Sequence, residues 1–417
     1  MSPENIVIAG AGLAGATAAR TLRTEGFHGD IIIAGAESHH PYIRPPLSKE
    51  YLLGKAGEDA VEVVPETWYT ENNVTLRLGV PVTEVDPAGH TVRYADGTSE
   101  GYGALLLATG ALPRPLKLPG SGLDGVSTFR TLDDSRHLRE QLADGGRNVV
   151  MIGSGWIGME LAAAASSYGN HVTLLGLEEV PLGGAIGPEL GRFFRTLHEG
   201  NGVRFVLPGS AREITGHAGK VTGVLTDSGE RLPADIVVIA VGVVPDTALA
   251  GAAGLELRNG ILTDASLRTS APDIFAAGDV ANALHPFTGE HYRSEHWANA
   301  LNGGKVAGKA MLGQDAVLDA VPYFYTDQYD VSMEYSGFPS LAADAAPVIR
   351  GSLESKEFVA FWQRKGQVVA GMSVNWPKSS KPSAQKTIKA LISARSDVAA
   401  AALSDPAVPF DQLMPES

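Results

Sequence analysis

The chain of 417 residues contains no cysteine. Disulfides, thiolate-ligated zinc, iron–sulfur clusters and any cysteine-based redox centre are therefore excluded within this chain. It also has no run of about 18 uncharged apolar residues, the length that a membrane-spanning helix needs. The first ten residues carry neither the basic segment nor the long apolar stretch of a secretory signal. We therefore expect a cytoplasmic protein without a membrane span.

Positive charge is scarce as well. The 33 Lys and Arg residues are outnumbered by 47 Asp and Glu, which leaves a formal net charge of −14. This balance argues against non-specific nucleic-acid binding, and we interpret it as a contribution to solubility. The apolar fraction of 44% is that of a globular protein with a sizeable core. The length predicts roughly three domains of ordinary size.

A glycine-rich segment near the N-terminus, NIVIAGAGLAGATAAR at 5–20, organises the first part of the chain. A short apolar run stops at Gly10, and Gly10, Gly12 and Gly15 then have the GxGxxG spacing. In a dinucleotide-binding turn, such glycines allow a tight turn, the approach of a pyrophosphate and close packing of helix on strand. The helix N-terminus offers free N–H groups to the anion. Because a predicted strand precedes the motif and a predicted helix follows it, the segment predicts dinucleotide binding.

A second segment, NVVMIGSGWIGMELAAAA at 148–165, repeats this arrangement with Gly153, Gly155 and Gly158. It too follows an apolar strand and opens an Ala-rich helix. Two such units predict two dinucleotides and an α/β fold with two Rossmann-like nucleotide-binding domains.

Two acidic residues follow predicted strands of the first unit. Glu37 comes after the apolar segment 30–34, about 20 residues beyond the glycines, where an acid can accept hydrogen bonds from an adenosine ribose. The alternative is a solvated loop carboxylate. Asp279 follows the predicted strand 274–277, where an acid can hold a ribityl hydroxyl. The alternative there is a turn or helix-capping aspartate.

A proline-stiffened loop, HPYIRPPLSKEYL at 40–52, precedes a short predicted helix. Arg44 and Lys49 are cations on this segment, near the predicted cofactor. The alternative is a pair of ordinary surface charges.

Taken together, these motifs resemble those of the FAD-dependent NAD(P)H:ferredoxin reductases of bacterial oxygenase systems, such as putidaredoxin reductase, rubredoxin reductase and the reductases of aromatic-ring dioxygenases. The resemblance spans nearly the whole chain. Besides the two GxGxxG units, it is carried by these segments in this order: PYIRPPLSKEYL, LLLATGALPRPL, FRTLDD, IGSGWIGMELA, AVGVVPDT, TDASLRTSAPDIFAAGDVA, EHWANALNGGKVAGKAMLG and PYFYTDQYD.

The resemblance implies a glutathione-reductase-like architecture in three parts. Residues 1–113 and 247–321 would form an FAD-binding domain, and 114–246 an NAD(P)H-binding domain. The aromatic-rich segment from 322 to 417 would form a C-terminal α+β interface domain.

The resemblance also implies which residues bind FAD. The pyrophosphate would lie at the first glycine turn, and Val82 would contact the adenine through its backbone. Lys49 resembles the lysine that lies near flavin N5, where hydride arrives. The full set implied for FAD is Gly10, Gly12, Ala14, Gly15, Glu37, Arg44, Lys49, Val82, Thr109, Gly110, Arg130, Gly278, Asp279 and Trp297.

For the pyridine nucleotide, the resemblance implies a second set of residues. Glu160 would pair with Lys49 near the nicotinamide, and these two are the predicted catalytic residues. The set implied for the nucleotide is Gly153, Gly155, Trp156, Ile157, Gly158, Glu160 and Gly242. No metal is expected.

Three positions depart from the family pattern. Tyr325 replaces a tryptophan, Ala36 replaces an aspartate, and Gly176 stands where NADH-using relatives usually have a ribose-binding glutamate. However, no Arg or Lys lies between residues 169 and 191 to pair with a 2′-phosphate, and Glu178 and Glu179 would repel one. We therefore expect NADH rather than NADPH.

The implied reaction takes hydride from NADH to FAD and passes single electrons to a [2Fe–2S] ferredoxin. That ferredoxin would supply a cytochrome P450 or a Rieske oxygenase. Because the chain has no cysteine, the electrons must leave for an external acceptor. Two groups of basic residues are candidates for its docking, although ordinary solvated charges are the alternative: Lys378, Lys381, Lys386 and Lys389, and Arg293, Lys305 and Lys309.

Other functions remain open at this stage. One is a same-fold NADH oxidase, nitrite-reductase-type flavoprotein or monodehydroascorbate reductase. Another is an NADH-sensing interaction flavoprotein resembling apoptosis-inducing factor. The third is a degenerate scaffold without cofactor.

Overall fold

A computed structural model describes residues 4–343, 345–377 and 382–414. The chain forms two compact units. The first consists of Met1–Arg44, Gly57–Leu112 and Val243–Pro322, and the second of Pro45–Ala56, Pro113–Gly242 and Tyr323–Ser417. Within the described ranges, no helix is long and apolar enough to cross a membrane. The three domain boundaries expected from the resemblance remain a prediction.

The first unit contains a five-stranded parallel sheet, as the apolar segments predict. Its strands, in spatial order, are Ile274–Ala276, Ala104–Leu107, Asn5–Ala9, Asp30–Gly35 and Val74–Leu78. The central strands are almost wholly buried, because a parallel sheet covered on both faces needs continuous apolar residues. The segment from 74 to 86 forms two strands, Val74–Leu78 and Val82–Asp86, separated by a turn at Gly79.

Two helices of the first unit pack closely together where the helix after the first glycine turn begins. The helix Leu13–Thr24 contacts the helix Trp297–Met311. Gly304 makes this approach possible, since a Cβ there would lie 2.5 Å from the Ala14 carbonyl oxygen. The remaining helical elements of this unit are the helices Glu66–Glu71 and Ala248–Ala252 and the 3-10 turns Glu58–Val61 and Gly278–Val280. Its remaining strands are the antiparallel pair Thr91–Tyr94 and Ser99–Gly101, together with Ala281–His285, which pairs in parallel with Ile261–Thr263 and antiparallel with Glu290–Tyr292. Short strands Ala111–Pro113 and Val243–Pro245 stand where the chain leaves and re-enters the unit.

The second unit contains a similar five-stranded parallel sheet. Its strands, in spatial order, are Arg204–Val206, His171–Leu175, Asn148–Ile152, Ile236–Ile239 and Val126–Thr128. The helices Leu132–Leu142, Trp156–Ser167 and Gly183–Glu199 belong to it, as do the antiparallel strands Ala211–His217, Lys220–Thr226 and Arg231–Pro233. In both parallel sheets, one strand is followed directly by a glycine turn and a helix, which confirms the predicted Rossmann-like fold.

An antiparallel five-stranded sheet follows in the same unit. Its strands, in spatial order, are Tyr323–Gln328, Val331–Gly337, Gln367–Val374, Glu357–Arg364 and Val348–Ser352. The helices Pro339–Ala342, Ala384–Ser393, Ala400–Ser404 and Phe410–Leu413 complete this α+β part. The aromatic residues Tyr323, Phe324, Tyr325 and Tyr335 lie on its first two strands, and Tyr329 lies in the turn between them.

The proline-rich segment Pro45–Ala56 belongs to the second unit, although it lies far from it in sequence. Its 3-10 helix, Pro45–Ser48, is held by a hydrogen bond of 2.6 Å from the Ser135 hydroxyl to the Leu47 carbonyl. The Tyr168 hydroxyl donates to the Leu52 carbonyl at 2.8 Å. These bonds fix the backbone that carries Lys49.

Candidate functional site

The first glycine turn has two packed glycines and one open glycine. A Cβ on Gly10 would lie 2.0 Å from the Ala108 carbonyl oxygen, and one on Gly15 would lie 2.3 Å from the Gly10 carbonyl oxygen. Gly12, in contrast, has no described atom within 4 Å of its Cβ position. In the described part of the chain, no side chain caps the helix Leu13–Thr24 that begins here. Its first N–H groups therefore fit the pyrophosphate of a dinucleotide.

The predicted ribose acceptor Glu37 lies in a polar cluster with two neighbours. The Tyr42 hydroxyl donates to Glu37 Oε2 at 2.5 Å, and the Arg44 guanidinium donates to Oε1 at 3.0 Å. Burial alone would lower the pKa of Arg44, but Tyr42, Glu37 and Asp279 together raise it, so Arg44 stays cationic. A carboxylate offers about four acceptor positions, so Glu37 retains capacity for a ribose hydroxyl.

Other residues predicted to bind FAD lie at the ends of strands in the first unit, with Thr109 and Gly110 just beyond the carboxyl end of Ala104–Leu107. The Thr109 hydroxyl donates to the Asp246 carbonyl at 2.7 Å, and Gly110 takes the left-handed conformation directly after it, with φ of +75°. Val82 is the first residue of its strand and pairs with Tyr94.

A third group surrounds the start of the helix Trp297–Met311. Gly278 allows close packing on the glycine-turn helix, since a Cβ there would lie 3.1 Å from the Ala14 Cβ. The Asp279 carbonyl accepts a hydrogen bond of 3.2 Å from Arg293. The Trp297 indole Nε1 is buried and has no hydrogen-bond partner among the described residues. A buried indole donor without an acceptor fits a ligand that supplies one.

The second glycine turn repeats the pattern of the first. A Cβ on Gly153 would lie 2.2 Å from the Ala240 carbonyl oxygen, and one on Gly158 would lie 2.0 Å from the Gly153 carbonyl oxygen. Gly155 has no described atom within 4 Å of its Cβ position, and it precedes the helix Trp156–Ser167. This turn therefore fits a second pyrophosphate.

The neighbours of the second turn differ in their surroundings. Gly242 has φ of +93° and open space in front of it, and its carbonyl accepts from the Arg114 N–H at 2.9 Å. Ile157 is exposed. The Trp156 ring, in contrast, packs on Phe324 with centroids 5.1 Å apart, so it is part of an aromatic cluster.

Gly176, the departure from the family pattern, has a steric reason. A Cβ at this position would lie 2.3 Å from the Ser154 hydroxyl oxygen and 3.0 Å from a Leu207 methyl carbon. A glutamate here would therefore require the Ser154 side chain to shift. The exposed Glu178 is the nearest acid after the strand, and its carboxylate accepts from the Gly184 N–H at 3.2 Å.

The two predicted catalytic residues form a buried ion pair. Lys49 Nζ lies 2.9 Å from Glu160 Oε2, and the side chains are only 6% and 4% exposed. The ammonium also donates to the Pro45 carbonyl at 3.2 Å. Both oxygens of Glu160 accept further bonds: the Ser48 hydroxyl donates to Oε2, and the Thr326 hydroxyl donates to Oε1 at 2.6 Å. Three donors thus neutralise and orient one buried carboxylate.

Tyr325, the residue that replaces a tryptophan, contacts this pair. Lys49 Nζ lies 5.4 Å from the centroid of its ring, within cation–π range. Burial raises the pKa of Tyr325 to about 12, so its hydroxyl is neutral at physiological pH. Arg130, also predicted to bind FAD, lies just before the helix Leu132–Leu142, and its backbone N–H donates to Asp134 at 2.8 Å.

Sequence reasoning missed three residues that the structure places in these clusters. Tyr42 holds Glu37, while Ser48 and Thr326 hold Glu160. Ser48 and Tyr42 belong to the loop motif PYIRPPLSKEYL, and Thr326 directly follows Tyr325, which replaces the tryptophan of the family pattern. Their positions inside these motifs were the only sequence signal that they belong to the site, because a hydroxyl group by itself indicates no particular role.

The basic residues considered for docking are engaged to different degrees. Lys378 and Lys381 lie outside the described residues. Lys389 Nζ lies 4.3 Å from the Tyr323 ring centroid, and burial lowers its pKa although Glu334 raises it. The remaining members are Lys386 and Lys305, which are exposed, Lys309, which pairs with Glu25, and Arg293, which pairs with Glu295.

Comparison with known proteins gives matches over nearly the whole chain. Residues 4–304 match the family described as pyridine nucleotide-disulphide oxidoreductase, and residues 323–414 match the reductase C-terminal family. The anthranilate 1,2-dioxygenase system ferredoxin–NAD(+) reductase component of Burkholderia cepacia is 38% identical over 376 residues, which cover 90% of this chain and 92% of that protein.

Two solved structures are similar throughout. The ferredoxin reductase for the CYP199A2 system from Rhodopseudomonas palustris has a TM-score of 0.93 and 33% identity, with 99% of this chain and 100% of that chain covered. The reductase in the covalent putidaredoxin reductase–putidaredoxin complex also has a TM-score of 0.93 and 33% identity, with 98% of both chains covered.

These matches confirm the fold class and the resemblance. They imply FAD and a pyridine nucleotide, NAD(P)H, as the cofactors, which agrees with the two glycine turns. The chain belongs to the pyridine nucleotide-disulphide oxidoreductase family and, within it, to the ferredoxin reductases.

Proposed function

We propose that this protein takes hydride from NADH through FAD and delivers single electrons to a [2Fe–2S] ferredoxin. The ferredoxin would in turn supply a cytochrome P450 or a Rieske oxygenase. The observation that carries this proposal is the combination of two dinucleotide turns with a chain that has no cysteine. In a family named for disulphide chemistry, this chain cannot pass electrons through a disulfide of its own, so they must leave for an external acceptor.

We assign the two pyrophosphate-binding turns to different cofactors, one in each unit. In the first unit, the turn at Gly12 would hold the FAD pyrophosphate, while Glu37 and Trp297 would bind its ribose and flavin portions. In the second unit, the turn at Gly155 would hold the pyrophosphate of the pyridine nucleotide. When bound, FAD supplies the conversion of a two-electron donor into one-electron steps.

The Lys49–Glu160 pair would place a fixed positive charge beside the reacting rings. Glu160 keeps the ammonium in one position at 2.9 Å, and Tyr325 covers it from another side. A preorganised cation of this kind stabilises negative charge as it develops on a neighbouring group. Because the pair is buried, water screens it little.

We propose NADH as the preferred coenzyme because of the charge at the end of the strand His171–Leu175. Glu178 and Glu179 are exposed there, and no Lys or Arg occurs between 169 and 191. Two carboxylates would repel the 2′-phosphate of NADPH, whereas a 2′-hydroxyl could donate to them.

The double variant Glu178→Lys with Glu179→Lys tests this preference. We expect the ratio of kcat/KM for NADH to that for NADPH to fall by about tenfold, the size expected of two screened charge contacts. A matched control is Glu140→Lys with Asp144→Lys, which changes the net charge equally at exposed positions of the same unit. If the two double variants give the same ratio, Glu178 and Glu179 do not set the preference.

Acceptor assays separate the proposed function from its alternatives. We expect rapid NADH-dependent reduction of a [2Fe–2S] ferredoxin and slow oxygen uptake without it. Rapid oxygen uptake alone would favour an NADH oxidase. Slow turnover with every one-electron acceptor, together with an NADH-dependent change of oligomeric state, would favour an interaction flavoprotein.

For docking of the ferredoxin, we propose the exposed lysines Lys386 and Lys305. Reversal of each charge to Glu should raise the KM for ferredoxin and weaken its dependence on salt. Unchanged ferredoxin kinetics at low salt in both variants would refute this assignment. We further propose a cytoplasmic location, where NADH is available, and cell fractionation tests it directly.

A further inference from the structure

A chain of buried hydrogen bonds extends from Glu160 away from Lys49. The Thr326 hydroxyl donates to Glu160 Oε1 at 2.6 Å, and Gln328 Nε2 donates to Thr326 Oγ1 at 3.1 Å. Gln328 Oε1 then lies 2.8 Å from His198 Nε2. Thr326, Gln328 and His198 are all at most 1% exposed. Four buried polar residues therefore form one line that ends at the carboxylate.

The chemistry of these groups fixes the direction of every proton. A carboxylate only accepts, so the Thr326 hydroxyl must donate to Glu160 and accept from the Gln328 amide N–H. The Gln328 oxygen is then left to accept, so His198 donates through Nε2–H. Burial lowers the pKa of His198 to about 4, which leaves the ring neutral with a single N–H at neutral pH. All the donors consequently point towards Glu160.

The two carboxylate oxygens are held in different ways. Ser48 and Lys49 both bond to Oε2, whereas Thr326 is the donor that the described residues supply to Oε1. Without the Thr326 hydroxyl, Oε1 would be a buried acceptor without a partner, which is costly. The Glu160 carboxylate would then be free to rotate about its terminal bond, and the Lys49 ammonium bound to it would move as well.

We propose that Thr326 is a positioning residue for the Lys49–Glu160 pair, and that Gln328 and His198 hold its hydroxyl in the donating orientation. The proposal rests on the proposed function, because that function gives the Lys49–Glu160 pair its role. In this arrangement, a strand of the C-terminal sheet controls the geometry of the pair through one hydroxyl.

Three variants separate this role from a contribution to packing alone. Thr326→Val removes the hydroxyl and keeps the shape, and Thr326→Ser keeps the hydroxyl and removes the methyl group. The control is Thr387→Val: Thr387 is 0% exposed in the same unit, and its hydroxyl donates to the Ser383 carbonyl at 3.2 Å instead of to a carboxylate. Each protein is prepared with FAD bound.

The first measurement is the rate constant for reduction of the bound flavin by NADH under anaerobic conditions. We expect Thr326→Val to lower it by about tenfold or more, the effect of losing one hydrogen bond to a charged group. Thr326→Ser and Thr387→Val should stay within about threefold of the wild-type protein, a difference too small for the loss of such a bond. A Thr326→Val protein as fast as the wild type, or a Thr326→Ser protein as slow as Thr326→Val, would overturn the proposal.

The second measurement is independent of activity. The melting temperatures of Thr326→Val, Glu160→Gln and the double variant form a mutant cycle, and we expect their shifts to be non-additive because the two side chains are in contact. The same cycle with Thr387→Val should be additive. Additive shifts in both cycles would overturn the proposal. If the wild-type protein binds FAD but is not reduced by NADH, it is the proposed function that fails, because the cycle still reports on the contact.

Discussion

Removal of one member of the buried Lys49–Glu160 pair should cost more stability than removal of both. At 2.9 Å and an effective dielectric constant of about 20, the attraction is about 6 kcal/mol, and the desolvation of two buried ions offsets most of it. A single substitution leaves the other ion buried without its partner, which typically costs about 3–5 kcal/mol.

The groups around the pair predict the order in which the variants lose unfolding free energy. In Lys49→Met, Glu160 keeps the Ser48 and Thr326 hydroxyls, so the loss in unfolding free energy should be about 3 kcal/mol. In Glu160→Leu, Lys49 keeps the Pro45 carbonyl and the Tyr325 ring but no anionic partner among the described residues, and the two hydroxyls lose their acceptor, so about 5 kcal/mol is expected. The double variant has no buried charge and should lose about 1–2 kcal/mol, mainly for the two hydroxyls.

Urea unfolding of the FAD-loaded proteins, followed by tryptophan fluorescence, measures these differences. The flavin content of each sample is determined first, because bound ligand adds to the apparent stability. We expect the double variant to be more stable than either single variant. A double variant that loses the sum of the two single losses, about 8 kcal/mol, would refute the description of a coupled buried pair.

Two further predictions concern the glycine turns and a buried histidine. Gly12→Ala should fold normally but lose affinity for FAD, because its Cβ would enter the open space proposed for the pyrophosphate. Gly15→Ala should instead lose stability, because its Cβ would lie 2.3 Å from the Gly10 carbonyl oxygen. FAD content and melting temperature separate the two outcomes, and equal effects of the two variants on both measurements would contradict this prediction. Burial lowers the pKa of His198 to about 4 from an unfolded value of about 6.5, so the unfolded state binds the proton more readily between these values. The neutral ring therefore contributes stability that is fully present above pH 6.5 and is lost as the pH falls towards 4, by up to about 3 kcal/mol. His198→Gln should reduce this loss in acid unfolding experiments, and the exposed control His217→Gln should not; an unchanged pH profile in His198→Gln would contradict this reasoning.

The parallel sheets and both glycine turns could be predicted because local sequence specifies them. Continuous apolar strands, such as those at 5–9 and 104–107, indicate burial on both faces, and the glycine spacing indicates the turn that follows. The helical segment Gly183–Glu199, which is interrupted at Gly187, was not predicted, since Gly183, Gly184, Gly187 and Pro188 are helix-breaking residues. The antiparallel strand Ala211–His217 was also missed, because its polar residues alternate irregularly.

The partners of the candidate site could not be predicted in the same way. Ser48 and Thr326 reach Glu160 across 112 and 166 residues of sequence. Such contacts depend on the fold, and a hydroxyl residue carries no local signal for them. The reason for Gly176 is also tertiary, since it is the Ser154 hydroxyl that occupies the space of a side chain. The resemblance named the charged residues of the site, whereas the structure identifies the neutral residues that hold them.

The central claim is that a two-electron donor enters and single electrons leave for a ferredoxin. The most direct test is an anaerobic titration in which the FAD-loaded protein and an excess of oxidised [2Fe–2S] ferredoxin receive measured amounts of NADH. We predict that each NADH reduces two ferredoxin molecules, with no reduction when the reductase is omitted. Consumption of NADH without reduced ferredoxin, or no consumption at all by the FAD-loaded protein, would contradict the account.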